Sequence, residues 1–221
     1  MMNVQVDNSI FVTEQVKILT PSTYVIRFSR NGMKFNPGQH LVVGLPGSDE
    51  LREYSIYSGI DDPYLEVLIK EVDEGMVSKA LKNIAAGDPI RVKGPYGFFL
   101  GDAPAAAGSP LLFIASGTGI APFHSYIRSF PRSDFRIIHG IREMDEAYDM
   151  HDYPRDRLTL CTSRDRAGDF NGRLTDYLKG VEPESGGLVY LCGNSQMIYD
   201  AMDILHEKGV PQRNIFTEVY F

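Results

Sequence analysis

A glycine-rich turn in the second half of the sequence has the composition of a phosphate-binding loop. Residues 117–122 read GTGIAP and follow LLFIA at 111–115 after a single serine, and LLFIA is a short apolar run typical of a buried strand. Glycines between a strand and a helix let the backbone approach a phosphate, and the first N–H groups of the helix attract its charge. Pro122 suits the first turn of such a helix. Because Ala121 or Pro122 stands where a full dinucleotide fingerprint has its third glycine, the pattern alone fits an ordinary tight turn equally well.

Residues 52–55 could contact a diphosphate and a flat ring together. Arg52 can pair with a phosphate, Tyr54 can stack on a ring, and Ser55 can hydrogen-bond to a ring nitrogen. On a strand, Arg52 and Tyr54 share one face while Ser55 points to the other. Taken alone, an exposed strand with one aromatic core residue would explain this segment.

Two shorter motifs stand at the ends of predicted elements. GMVS at 75–78 opens a helix predicted over 78–84, with Ser78 as its N-cap, and this geometry can also bind an anion. CGN at 192–194 ends a predicted parallel strand, at the edge where open α/β sheets bind ligands. A buried structural cysteine is the ordinary explanation of Cys192.

Different elements must position these motifs in the two halves of the chain. Short alternating β segments separated by glycine, proline, asparagine and aspartate clusters fill the first hundred residues and predict an antiparallel β-barrel. Strands and helices alternate in the second half, which predicts a Rossmann-like parallel α/β domain. A low-complexity stretch over 101–110 favours a domain boundary there rather than a surface loop, giving domains 1–103 and 104–221.

Two local details of the α/β half are also predicted. A helix-like stretch is expected between the strands FRIIHG and LTLCTS. The helix SQMIYDAMDILHEKG is expected to begin with Ser195 as its N-cap and to stop at Gly209.

Composition narrows the class of protein. The net charge of -7 over 221 residues argues against a nucleic-acid partner, because phosphate binding needs a basic surface. Two cysteines, Cys161 and Cys192, could pair with each other but cannot hold a metal or an iron–sulfur cluster alone. No signal peptide and no apolar run of membrane-spanning length is seen, so we expect a cytoplasmic protein without a membrane or metal partner.

In their order along the chain, the motifs resemble the ferredoxin–NADP⁺ reductase family over essentially the whole sequence. The similarity runs from PGQ at 37–39 through RxYS, GxxS, GPYGFF at 94–99, GTGIAP and CGN to EVYF at 218–221. SRD at 163–165 and NGRL at 171–174 resemble the bacterial members. The resemblance implies an FAD-binding barrel followed by a dinucleotide-binding domain, with FAD as cofactor and NADP(H), or NADH, as substrate.

The resemblance also implies residue roles. The catalytic residues would be Ser55 near the flavin N5, Cys192 by the nicotinamide, and Glu218 in the active-site hydrogen-bond network. The FAD contacts would be Arg52, Tyr54, Ser55, Leu68, Ile69, Lys70, Gly75, Met76, Val77 and Ser78. The dinucleotide contacts would be Gly117, Thr118, Gly119 and Gly193, while Tyr220 or Phe221 covers the flavin.

Arginines after two predicted strands favour NADPH over NADH. A 2′-phosphate adds charge that arginine recognises, and Ser163, Arg164 and Arg173 hold the family position for it, with Arg142 able to join them. Solvated surface arginines are the alternative for any one of them. Asp165 is a contrary sign, because a carboxylate there could favour the free hydroxyl of NADH.

The two aromatic residues at 220 and 221 need a burial site. One of the two rings is expected to cover the flavin face on which nicotinamide stacks. That ring must therefore move before hydride transfer can occur. The alternative is burial in the domain interface or a dimer contact.

Several functions stay open. The expected activity is hydride exchange between NADPH and FAD, coupled to one-electron transfer with a separate ferredoxin or flavodoxin, by a monomer or weak dimer. Ferredoxins and flavodoxins are usually acidic, so the net charge of -7 fits only if basic residues cluster near the flavin edge. The alternatives are a flavin reductase, the reductase component of an oxygenase, and a non-catalytic dinucleotide-binding module. The last would require loss of the hydride site, yet Ser55, Cys192 and Glu218 are present.

Overall fold

The computed structural model describes residues 9–101 and 108–220. Its first half is a six-stranded antiparallel sheet in the order β4-β3-β6-β1-β2-β5. A bridge from Ile56, just beyond β4, to Val67 in β5 joins the two edge strands and closes the barrel. The strands are β1 (Ile10–Thr20), β2 (Thr23–Ser29), β3 (His40–Gly44), β4 (Leu51–Ser55), β5 (Tyr64–Lys70) and β6 (Pro89–Tyr96).

The second half is a parallel six-stranded sheet in the order β10-β9-β8-β7-β11-β12. These strands are β7 (Leu111–Ser116), β8 (Phe135–Ile141), β9 (Leu158–Thr162), β10 (Phe170–Asn171), β11 (Leu188–Asn194) and β12 (Ile215–Tyr220). The helices are α1 (Met76–Lys82) in the barrel half and α2 (Ala121–Ser129), α3 (Leu174–Lys179) and α4 (Ser195–Glu207) in the parallel half. The predicted fold class, an antiparallel barrel followed by a Rossmann-like parallel domain, is confirmed.

The two halves share one apolar core. Val25, Tyr57 and Leu68 of the barrel pack into the same buried cluster as Phe113 and Phe123 of the parallel half. Barrel strands supply a second, separate core. The predicted boundary at 103/104 lies outside the described residues and stays a prediction.

Both predicted N-caps are wrong by one to three residues. The side chain of Asn194, not of Ser195, caps α4 by accepting hydrogen bonds from the amides of Gln196 and Met197. Asn194 keeps an extended backbone there, as an N-cap requires. Gly75 precedes α1, and Ser78 lies inside it, where its hydroxyl accepts from the amide of Val72.

The helix-like stretch predicted between β8 and β9 is also wrong. Three single 3₁₀ turns take its place: Met144–Glu146, Met150–Asp152 and Arg155–Arg157. Asp149 adopts a left-handed backbone with φ 45°, which breaks any continuous helix. The segment packs on the barrel instead, through Tyr148 to Thr23 and through Asp149 to Lys17.

Candidate functional site

The carboxyl ends of β4 and β12 meet where the two halves touch. Ser55, the last residue of β4, donates its hydroxyl to Glu218 Oε1 at 3.0 Å, although the residues lie 163 positions apart. Tyr220 donates its hydroxyl to Ser55 Oγ at 2.5 Å. Cys192 lies opposite Glu218 in the β11–β12 ladder and is fully buried. The structure therefore brings all three predicted catalytic residues together.

Burial controls the protonation of this cluster. It raises the pKa of the Glu218 carboxyl, and the hydrogen bond from Ser55 only partly opposes that rise. Burial, reinforced by the charge of Glu218, also holds the pKa of the Cys192 thiol well above its ordinary value, so Cys192 stays a neutral thiol. A hydroxyl placed between a phenol and a carboxyl can pass a proton, whereas this thiol cannot serve as an anionic nucleophile.

A cavity of about 700 Å³ opens on the barrel side of the cluster. Such a volume suits a large cofactor. Of the predicted FAD contacts, it is lined by Arg52, Tyr54, Ser55, Leu68, Lys70, Gly75, Val77 and Ser78. The side chain of Ile69 points instead into the barrel core, and that of Met76 is largely exposed.

His40 is a lining residue that the sequence motifs missed. It pairs with Ser55 in the β3–β4 ladder and lies against the ring of Tyr96. Only the register of β3 on β4 could have indicated it. Arg52 is exposed and reaches Glu50 at 3.1 Å, so its guanidinium needs to leave only a surface ion pair to meet a ligand.

A second cavity, of about 940 Å³, lies at the carboxyl edge of the parallel sheet. Of the predicted dinucleotide contacts, it is lined by Gly117, Thr118, Arg142, Ser163, Arg164, Arg173 and Gly193. Tyr220, predicted to cover the flavin, also lines it. The two cavities share Lys70, Thr118 and Tyr220 as lining residues and are therefore contiguous. Phe221 lies outside the described residues.

Gly119 has a packing role. A Cβ on Gly119 would lie 2.3 Å from the carbonyl oxygen of Cys192, so the turn can rest on β11 only with glycine there. Gly119 is accordingly absent from the lining of the second cavity, unlike Gly117 and Thr118.

His139 holds the glycine turn from behind, and the sequence motifs missed it. Its Nε2 lies 2.8 Å from the carbonyl oxygen of Gly117. Burial lowers the pKa of His139 to about 4, so the ring is neutral at physiological pH and must donate this hydrogen bond through Nε2–H. A histidine inside an apolar strand carries no sequence signal of this contact.

The second cavity is lined by three arginines that can bind an anion and also by the carboxylates of Glu146, Asp176 and Asp200. Within the described parts of the chain, no carboxylate lies within ion-pairing distance of the guanidinium groups of Arg142, Arg164 or Arg173. Lys70 is paired with Glu146 at 3.3 Å, from the barrel across to the parallel half. Among the described residues, no group of three or more potential metal ligands is found, and no helix is long and apolar enough to cross a membrane.

Known proteins share both halves of this arrangement. Residues 5–100 match the oxidoreductase FAD-binding domain family, and residues 113–203 match the oxidoreductase NAD-binding domain family. Ferredoxin–NADP reductase B of Sorangium cellulosum is 30% identical over 232 residues, covering 93% of this chain and 94% of the relative. The toluate 1,2-dioxygenase electron transfer component of Pseudomonas putida is also 30% identical, over 93% of this chain, but the chain spans only 65% of that relative's length.

Solved structures show the same fold. A ferredoxin NADP⁺ reductase from Neisseria gonorrhoeae with bound FAD and NADP superposes with a TM-score of 0.82 at 23% identity, covering 96% of this chain and 98% of that one.

Proposed function

The chain belongs to the ferredoxin–NADP reductase family of flavoprotein oxidoreductases, and from that premise we propose that it exchanges hydride between NADPH and bound FAD and passes electrons singly to a separate ferredoxin or flavodoxin. The observation that carries the proposal is the hydrogen-bonded cluster of Ser55, Glu218 and Tyr220 where the two cavities meet. Hydride transfer needs a buried contact between two large ligands, and the cluster lies at such a contact.

The barrel cavity fits FAD in size and in chemistry. It offers a cation in Arg52, an aromatic face in Tyr54 and a hydroxyl in Ser55 along one strand. FAD, when bound, supplies the chemistry: it takes two electrons as hydride and releases them one at a time. The protein binds and orients both ligands and keeps water from the reacting atoms.

The chain's own residues would manage the proton of the reaction. Ser55 holds a proton on Oγ and is linked to the Glu218 carboxyl, which can take or return one. The raised pKa of Glu218 brings that carboxyl closer to neutral pH, where such exchange is most effective. Cys192 lines neither cavity and lies buried opposite Glu218 as a neutral thiol, so its predicted place by the nicotinamide stays a proposal.

Loss of the Arg52 side chain should weaken FAD binding. We expect Arg52→Ala to remove a charged hydrogen bond to the diphosphate worth about 1.5–3 kcal/mol, lowering FAD affinity by roughly one to two powers of ten. Titration of the apoprotein with FAD measures this. Glu50→Gln is the matched control: it removes the partner of Arg52 in the ion pair but leaves the guanidinium, so its FAD affinity should not fall. Unchanged FAD retention in Arg52→Ala would contradict the assignment.

Tyr220 is expected to act as a lid over the site of nicotinamide. Its ring lines both cavities, and its hydroxyl bonds to Ser55. Deleting Tyr220 and Phe221 should tighten nicotinamide binding several-fold, because aromatic stacking of about 0.5–1.5 kcal/mol no longer competes. Turnover should slow because the product leaves less readily.

NADPH titration and steady-state turnover test the lid. Tyr220→Phe is the control that keeps the ring and loses only the hydroxyl, and its nucleotide affinity should stay near that of the unaltered protein. If the truncated protein bound nucleotide no better and its flavin spectrum were unaltered, the aromatic residues would belong to an interface instead.

The function itself is tested by anaerobic reduction of the FAD-loaded protein with NADPH or NADH, followed by oxidised ferredoxin or flavodoxin. Bleaching of the flavin and its recovery on adding the carrier are expected. No bleaching with either nucleotide would overturn the proposal.

A second candidate function has its own support. The similarity to an oxygenase electron transfer component suggests a reductase that feeds an oxygenase. A flavin reductase is a further alternative. Retention of FAD through gel filtration would argue against the flavin reductase, and reduction of an oxygenase ferredoxin in preference to flavodoxin would favour the oxygenase role.

A further inference from the structure

One face of α2 is joined to the barrel by a row of polar contacts. Residues 57–62 of the barrel lie against this face, which carries His124, Ser125, Arg128 and Ser129. Ser125 donates its hydroxyl to the carbonyl of Ser58 at 2.7 Å, and the amide of Ile60 donates to Ser129 Oγ at 3.0 Å.

Arg128 makes the strongest charged contact of this face. Its Nη2 and Nε reach the two carboxylate oxygens of Asp62 at 2.8 and 3.1 Å, which is the bidentate geometry that favours arginine. A Cβ on Gly59 would lie 3.0 Å from the Arg128 Cβ, so the two segments approach as closely as glycine allows.

His124 forms the buried centre of the contact. Its ring stacks on that of Tyr57, with centroids 3.7 Å apart and 14° between the planes. Nδ1 lies 2.7 Å from the carbonyl oxygen of Tyr57, and Nε2 lies 2.9 Å from Asp152 Oδ2. Both ring nitrogens therefore face acceptor oxygens, one in the barrel and one in the parallel half.

Charged groups on neighbouring elements support this arrangement. Arg128 also reaches Asp152, at 3.2 Å, and the exposed His151 lies 3.4 Å from the other oxygen of that carboxylate. The hydrogen bond with His124 is the main reason that the pKa of Asp152 is lowered to about 2. Asp152 is therefore an anion at physiological pH.

The joined segments lead directly to the two halves of the reaction site. Residues 57–62 begin two positions after Ser55, and α2 begins immediately after the glycine turn Gly117–Ile120. Any shift of α2 on the barrel would move that turn relative to Ser55. Hydride transfer requires reacting atoms about 3–3.5 Å apart, so such a shift would affect the chemical step more than ligand binding.

We propose that this face of α2 is a clamp that sets the distance between the flavin and nicotinamide sites, with His124 as its positioning residue through the Nδ1 bond to the barrel. The inference rests on the proposed hydride transfer. The bond from Nε2 to Asp152 stays within the parallel half, so it orients the ring and does not join the two halves.

Three substitutions separate the two bonds of His124. The amide nitrogen of asparagine can occupy the place of Nδ1, that of glutamine can occupy the place of Nε2, and phenylalanine keeps a ring for the stack with neither donor. In the FAD-loaded protein, we expect His124→Phe and His124→Gln to slow the limiting rate of flavin reduction by about tenfold. Their dissociation constants for NADPH should change by less than about threefold, and His124→Asn should keep a rate within about threefold of the unaltered protein.

Amide exchange gives a readout that does not depend on activity. The amide of Ile60 is bonded across the clamp to Ser129, so its exchange should quicken in His124→Phe and His124→Gln. Arg136→Ala is the control, because it removes an exposed arginine paired with Glu184 outside the clamp and both cavities. If His124→Phe fails to retain FAD, Ser125→Ala removes a single clamp bond and should show the same pattern more weakly.

The outcomes are separable. Equal rates in the asparagine and glutamine variants, or a slower rate matched by a proportional loss of NADPH affinity, would overturn the clamp. An unreduced flavin in the unaltered protein would overturn the proposed function, and exchange at Ile60 would then decide the clamp by itself.

Discussion

We expect Ser55→Ala to slow flavin reduction by NADPH by about two powers of ten or more, with FAD still bound. The hydroxyl of Ser55 is buried and is the only group that bonds to both Glu218 and Tyr220 among the described residues. Alanine would leave the Glu218 carboxyl without that donor and would leave no proton at the place assigned to the flavin N5. Stopped-flow measurement of the limiting rate under anaerobic conditions tests this.

Two further variants separate the hydroxyl from the fold. Ser55→Thr keeps a hydroxyl and should recover much of the rate. Glu218→Gln keeps an acceptor for Ser55 but cannot exchange a proton, so its rate of flavin reduction should lie between those of Ser55→Ala and Ser55→Thr. A rate in Ser55→Ala equal to that of the unaltered protein would remove Ser55 from the chemistry. A loss of FAD in that variant would instead assign Ser55 to cofactor binding.

The fold class could be predicted from the sequence because it depends on local patterns, whereas most of the residues that line the two cavities were named only through the family resemblance. Alternation of apolar and polar residues predicts strands. A glycine turn after an apolar strand, such as that at Gly117, predicts a ligand-binding edge of the sheet without reference to distant residues. The meeting of Ser55 with Glu218 came only from the family resemblance, since no local pattern joins residues 163 positions apart.

The missed features depend on tertiary contacts. His124 and His139 are buried polar residues whose partners come from distant segments, so nothing near them in the sequence indicates a role.

Helix-capping preferences also gave a wrong prediction where two neighbouring residues were both suitable. Asn194 and Ser195 are both good N-caps, and the extended backbone at the end of β11 decided for Asn194. The connection from β8 to β9 does not form the predicted helix, and its side chains bond to the barrel instead.

The arginines of the second cavity should decide which nucleotide is used. We expect the double variant Arg164→Ala and Arg173→Ala to lower the preference for NADPH over NADH by at least about two powers of ten, since each charged hydrogen bond to the 2′-phosphate contributes about 1.5–3 kcal/mol. Both guanidinium groups line the cavity, and both are exposed. The measurement is kcat/KM for each nucleotide. We expect the value for NADPH to decrease and the value for NADH to stay unchanged.

Asp165, the residue that argued against NADPH in the sequence, does not line the second cavity and bonds to backbone amides instead. Its carboxylate accepts hydrogen bonds from the amides of Met144 and Ala167, at 2.6 and 3.2 Å. The first of these is the main reason that its pKa is lowered. Because both oxygens accept hydrogen bonds from backbone amides, the carboxylate would have to break these bonds to receive a ribose hydroxyl.

Arg166→Ala is the matched control for the arginine double variant, as it removes an exposed arginine of the same loop that does not line the cavity. If the unaltered protein used NADH as efficiently as NADPH, or if Arg166→Ala lowered the preference as far as the double variant, the arginines would be ordinary surface charges and Asp165 would have to be reconsidered as the ribose ligand.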